Sequence, residues 1–328
     1  SLQVTYSKLE PPAALIILEN CNIASCRIDT AMATTSPFPA PLRGTLQLYQ
    51  KEPVALPYFD TDAELPHSLV FVPGLTNTIG TLPYLPRLAE SIRSHGFSLV
   101  QPQLTSNLGG YGQCTLEGDA QEIAACVSHL RRLPPKRHGN VVLMGHSTGC
   151  QDSIAYLLSS ERAADPLTRI DGAILQAPVS DREYYEQERN SAPSDQIREE
   201  MDRELEHATQ LFRSGQGAAL IPRKDAASIE LPTDPLDPPH AEARSSNSRS
   251  SSTTGNASAV LAAAMTAYRT WSLKAKGGHD DFFSTDLQDA QITASEPGAR
   301  TIGRAVKNLQ AGAGSTKPRI LALIGEKE

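Results

Sequence analysis

From residue 68 the chain alternates two rhythms: short unbroken apolar runs, and stretches whose apolar positions recur every three or four residues. Leu69 to Val72 predicts a buried strand, Leu85, Leu88 and Ile92 a helix ended by Gly96, and Phe97 to Val100 the next strand. Leu116, Ala120, Ile123, Val127 and Leu130 mark one helix face; Val141 to Met144 is again a strand, Ile154, Leu157 and Leu158 again a helix, and Ile170 to Leu175 a further strand. Continuously apolar strands, each followed by a helix, are buried on both faces, which predicts an α/β fold with a mostly parallel sheet. Upstream, Thr45 to Tyr49 alternates apolar and polar residues and reads as an outer strand, after an irregular leader over 1–44 rich in Ser, Thr and Pro.

The core rhythm of 45–180 breaks over 181–317 and resumes at Ile320 to Ile324, inside a final stretch of 318–328. Within the interruption Ile197, Met201, Leu205, Ala208 and Phe212 predict an amphipathic helix suited to lie over a cavity as a lid. Residues 222–259, with their serine-rich run, are expected to be disordered, and Leu261 to Leu287 to fold back onto the core.

Chemistry is concentrated at Gly145-His146-Ser147-Thr148-Gly149, between a strand and a helix. A G-x-S-x-G in that context is a very tight turn that lifts the middle hydroxyl above the sheet edge, and it makes Ser147 the expected nucleophile. Glycines at 145 and 149 let the two chain segments pass. The first N–H groups of the helix, beginning with that of Thr148, point at the space where an oxyanion would form. His146 adjoins Ser147 on the turn, points away from it and reads as a packed side chain.

Composition narrows the classes. The 328 residues carry a net charge of −7 with both signs interspersed, which argues against nucleic acid as a partner. The one basic cluster, Arg131, Arg132, Lys136, Arg137 and His138, falls at a predicted helix end and reads as solvated there. Five cysteines lack paired spacing, so neither a disulfide framework nor a zinc site is expected, and a reducing compartment fits. No apolar run is long enough to span a membrane. The expectation is a soluble, cytoplasmic protein with no cofactor and no metal, acting on a small molecule.

Several segments carry a resemblance: Val70-Phe71-Val72-Pro73-Gly74-Leu75-Thr76, Leu143 to Asp152 with its Cys-Gln-Asp continuation, Gln176-Ala177-Pro178-Val179-Ser180-Asp181, and Gly277-Gly278-His279-Asp280-Asp281-Phe282-Phe283-Ser284. They resemble a fungal α/β-hydrolase family, long catalogued as a domain of unknown function, whose members include esterases of fusarinine-type siderophores. The resemblance implies an α/β-hydrolase fold and a serine esterase acting on a hydroxamate siderophore, its ferric form included. In that mechanism the oxyanion is met by the N–H groups of Thr148 and Leu75. The acid is expected at Glu328, after the strand at 320–324, or alternatively at Asp181.

The base is harder to place. A histidine is expected after one further strand, but the sequence stops at Glu328, so either the chain is a fragment or activity has been lost and the pocket only binds. His279 is the alternative base, in a loop made pliable by Gly277 and Gly278; a metal at His279-Asp280-Asp281 is not expected, because adjacent side chains diverge. His67, His95, His129, His138, His207 and His240 read as surface residues. The competing functions are a non-catalytic scaffold on the same fold and a lipid hydrolase, the latter disfavoured by the Glu-rich lid helix.

Overall fold

The computed structural model describes residues 41–221, 264–312 and 318–323. Seven strands form one sheet: β1 (Thr45–Gln50), β2 (Leu56–Asp60), β3 (His67–Val72), β4 (Phe97–Pro102), β5 (Val141–His146), β6 (Gly172–Gln176) and β7 (Ile320–Leu323). Their order is β1-β2-β4-β3-β5-β6-β7. β2 is antiparallel to both β1 and β4, and the remaining neighbours pair in parallel. β2 is the strand that periodicity did not reveal. It is short, interrupted by Pro57, and alternates buried with half-buried residues rather than apolar with polar ones.

The helices follow the apolar spacing closely. On one face, α1 (Leu85–Arg93) buries Leu85, Leu88, Ala89 and Ile92 against Phe71, Leu99, Met144 and Ile174 of the sheet. On the other, α2 (Leu116–Arg132) and α3 (Gly149–Leu158) bury Ile123, Val127, Leu130, Ile154 and Leu157 against Val70, Val100 and Leu143. α2 starts where Thr115 accepts a hydrogen bond from Gly118 N–H, and two acidic residues in its first turn complement the helix dipole. Gly96, at φ 75°, makes the left-handed turn between α1 and β4.

After α4 (Ser160–Ala164) and β6 come α5 (Asp181–Asn190) and α6 (Asp195–Arg213), the latter covering the stretch read as a lid helix. Beyond the undescribed residues lie α7 (Ala267–Lys274), α8 (Asp289–Thr293) and α9 (Ile302–Ala311). α9 falls inside the range read as insertion, yet its Ala305 and Leu309 join the main core. Asn308 Nδ2 there donates to the carbonyls of Leu157 and Leu158 at the end of α3. The stretch expected to be disordered, 222–259, and most of the 1–44 leader lie outside the described residues.

Two members of the basic cluster correct the sequence reading, while Arg132, Arg137 and His138 are exposed as expected. Lys136 is 1% exposed and pairs at 3.1 Å with Asp60, itself fully buried. Arg131 pairs with Asp171 at 2.9 Å and donates to the carbonyls of Gly139 and Arg169. Both cations fasten the loop after α2 to the sheet instead of facing solvent. Three histidines read as surface residues are also half-buried: His95, His67, which accepts from Asn140 N–H, and His129, which packs edge-on against Tyr58.

Candidate active site

β5 delivers the chain to a bend that only close backbone approach permits. Ser147 has φ 53°, in the left-handed region that a residue with a side chain seldom occupies. A Cβ on Gly145 would meet the Gly149 carbonyl oxygen at 2.2 Å, and one on Gly149 would meet that of Val72 at 2.3 Å. The two glycines are therefore required for α3 to leave the sheet edge at this angle. Ser147 N–H donates to the carbonyl of Gln176 at 3.0 Å, which fixes the bend to the end of β6. The Ser147 hydroxyl makes no hydrogen bond among the described residues and the residue is half-buried, so its oxygen is available above the sheet.

Two further residues with positive φ stand on the same edge: Thr76 at 65° after β3 and Ala177 at 49° after β6. Strained backbone gathers where strands end beside a reacting group, and the sheet around it holds these conformations in place. Gly74 lies directly opposite Ser147. A methyl there would sit 3.0 Å from Ser147 Cβ and 3.4 Å from its Oγ.

Of the two expected oxyanion donors, Thr148 N–H has no partner among the described residues. Leu75 N–H is engaged: it donates to Thr148 Oγ1 at 2.6 Å. The two donors thus lie on facing segments joined by one hydroxyl.

His146 points away from Ser147, as its place on the turn implies. Its Nδ1 meets Gln176 Oε1, which also accepts from Tyr84 OH at 3.0 Å, and its ring stacks on Phe71. The Gln176 side chain thus joins Tyr84 to His146, a contact that pattern reading missed, although the Gln-Ala-Pro segment was among those carrying the resemblance.

Asp181 opens α5 just after β6, and its carboxylate accepts from Gln151 Nε2 at 2.9 Å. Burial, reinforced by the charge of Asp280, raises its pKa to about 7, against the opposing pull of Arg269 and the Gln151 hydrogen bond. Glu328, the leading acid from the sequence, lies outside the described residues. His279 sits among Phe212, Tyr268 and Trp271 beneath α6, its Nδ1 2.9 Å from Tyr268 OH. Burial, then Arg300, lowers its pKa. Among the described residues no histidine hydrogen-bonds to Ser147.

Behind the bend lies a buried ionic network. Arg269 on α7 binds both oxygens of Asp280 at 2.8 Å and donates to the Tyr111 carbonyl. Asp119 on α2 and Asp152 on α3 are buried within electrostatic reach of each other and of Arg269. Burial pushes Asp119 to about 6 and Asp152 well above the ordinary range, with the Asp119 charge adding to the latter. Arg182 on α5 pairs with Asp281 at 3.0 Å. The Cys-Gln-Asp and Gly-Gly-His-Asp-Asp segments therefore meet around the root of α3. Among the described residues no cluster of His, Cys, Asp and Glu fits a metal ion.

The sequence matches the family described as Protein of unknown function (DUF1749) over residues 32–237 and 240–327. The chain belongs to that family. It is 32% identical over 170 residues to Esterase AN6793 of Emericella nidulans, and 37% identical over 159 residues to Fusarinine C esterase sidJ of Aspergillus fumigatus. The two alignments cover 45% and 43% of this chain and 45% of each relative, so the chain spans about half the length of these curated relatives or less. Among solved structures, Siderophore hydrolase EstB from Aspergillus fumigatus superposes with a TM-score of 0.55 at 26% identity, covering 87% of this chain and 77% of that one. The fold is that of the α/β-hydrolases, as the family segments implied. No helix among the described residues is long and apolar enough to cross a membrane.

Proposed function

We propose that the chain carries the nucleophile of a serine esterase whose substrate is a carboxylic ester of the fusarinine-type hydroxamate siderophores. In this reading Ser147 Oγ attacks the ester carbonyl while a histidine takes its proton, the alcohol leaves, and water frees the acid from the serine. The N–H groups of Thr148 and Leu75 face the oxyanion. Asp181 or Glu328 orients the base, with His279 the alternative source of that base. The observation that carries the reading is Ser147 itself, held at φ 53° by Gly145 and Gly149 with a hydroxyl that has no hydrogen-bond partner among the described residues. The names of the fungal relatives support the substrate class. The free thiols of Cys114, Cys126 and Cys150 suit a reducing cytoplasm, where an internalised ferric siderophore would be cleaved.

The test uses the complete protein. A fluorophosphonate should label Ser147, and Ser147→Ala should abolish both labelling and the release of monomers from a fusarinine-type triester followed by mass spectrometry. Labelling with turnover of simple esters but no siderophore cleavage would remove the substrate assignment alone. One observation favours a second reading, a scaffold that binds without turnover: no described histidine reaches Ser147. Failure of the complete protein to react with the probe would establish that reading instead.

A further inference from the structure

Thr148 occupies the N-cap of α3, where a threonine hydroxyl ordinarily accepts from an N–H of its own helix two or three residues on. Here it makes no such bond. Its backbone is helical, at φ −64° and ψ −19°, and Oγ1 reaches across to the loop after β3 to accept from Leu75 N–H at 2.6 Å. That loop passes directly over the nucleophile, since the Cβ direction of the adjacent Gly74 ends 3.4 Å from Ser147 Oγ. The hydroxyl therefore ties the residue that follows Ser147 to the loop that passes over Ser147 Oγ, and it contacts one of the two backbone donors assigned to the oxyanion.

A hydroxyl that accepts through a lone pair keeps its own proton to give. No acceptor for that proton is found among the described residues. A bond received from Leu75 N–H also polarises the O–H, making it a better donor. We propose that Thr148 Oγ1–H is a side-chain donor of the oxyanion hole, charged by Leu75 and aimed at the carbonyl oxygen that Ser147 attacks. As Ser147 Oγ bonds to the carbonyl carbon, the π pair moves onto oxygen. Thr148 N–H and Thr148 Oγ1–H then meet the negative charge, while Leu75 N–H stabilises it through the hydroxyl. This deepens the esterase reading and rests on it.

The opposing possibility is that the hydroxyl merely occupies Leu75 N–H until a substrate displaces it. The two are separated by Thr148→Val, which keeps the shape and removes the hydroxyl, and by Thr148→Ser, which keeps the hydroxyl. The assays are turnover of p-nitrophenyl acetate and the rate of fluorophosphonate labelling, both on the complete protein. A lost oxyanion donor costs on the order of 10²-fold in kcat. Thr148→Val should fall by that order with KM nearly unchanged, Thr148→Ser should stay within a few-fold of wild type, and labelling should follow the same ranking. A valine variant as fast as wild type, or faster because Leu75 N–H is freed, overturns the proposal while leaving the esterase intact. A serine variant as slow as the valine one also overturns it, since packing of the methyl would then be the cause. Wild-type protein that neither turns over the ester nor takes the label defeats the esterase reading, and this proposal with it.

Discussion

Gln151 Nε2 donates to Asp181 Oδ2 at 2.9 Å, joining the helix that starts beside Ser147 to the helix that leaves the neighbouring strand. The same amide nitrogen donates to the Val179 carbonyl at 2.9 Å, so one side chain fixes both the loop after β6 and the first residue of α5. Any tilt of α5 is felt at the root of α3, one turn from Ser147.

That relationship makes stability depend on the charge of Asp181. Its folded pKa, about 7, lies above the value of about 4 for an aspartate in an unfolded chain. Between these values the folded protein binds more protons than the unfolded one, so this carboxyl lowers stability as pH rises from about 4 to about 7, with no further change above. Asp181→Asn is neutral throughout. Its melting temperature relative to wild type should climb across that window and level off near pH 7.5. A difference that stays flat from pH 4 to pH 8 would show that Asp181 titrates normally.

Much of this arrangement was legible in the sequence, and the reasons differ by element. The strands β3, β4, β5 and β6 showed because strands covered on both faces have no polar positions to interrupt the run. Ser147 showed because its bend excludes any side chain at 145 and 149, which leaves a fixed spacing of glycines. β2 was hidden by its proline and short length. Lys136 looked solvated because a sequence shows the charge but not Asp60, 76 positions earlier, that accompanies it into the interior. The gathering of Asp119 and Asp152 around the Arg269–Asp280 pair was invisible for the same reason: these residues come from three separate stretches of chain.

The clearance around the bend gives a folding prediction. A methyl on Gly149 would overlap the Val72 and Pro73 carbonyl oxygens at 2.3 and 2.8 Å, and both belong to backbone that cannot retreat without breaking the register of β3 with β5. Gly149→Ala should lower the urea midpoint sharply or leave the protein insoluble, a loss on the order of several kcal/mol, beyond the usual range for point substitutions. A soluble variant with a wild-type midpoint would mean that the bend is looser than its contacts indicate.

Gly74 separates crowding of the nucleophile from folding. An added methyl meets side-chain carbon and oxygen of Ser147 at 3.0 and 3.4 Å, a tight contact that a small shift relieves. Gly74→Ala should melt close to wild type while fluorophosphonate labelling of the complete protein slows by about ten-fold or more, because a misplaced oxyanion donor weakens stabilisation of the transition state. Unchanged labelling would place the reacting group on the other side of Ser147.

The strongest electrostatic commitment is Arg269, 4% exposed and set among Asp280, Asp152 and Asp119. Burial works against its charge, but these carboxyls outweigh that penalty and hold its proton more tightly than usual. Removing the cation leaves Asp280 an unpaired anion in the interior, which typically costs about 3–5 kcal/mol. Arg269→Met should therefore lose that much at pH 8. Unlike an exposed pair, it should recover part of the loss as pH falls towards 5, because protonated carboxyls no longer need the guanidinium. The double variant Arg269→Met/Asp280→Leu should be more stable than Arg269→Met at pH 8, since the stranded charge is gone. Equal stability of the single and double variants would show that the bidentate pair does not govern how α7 docks against the root of the nucleophile helix.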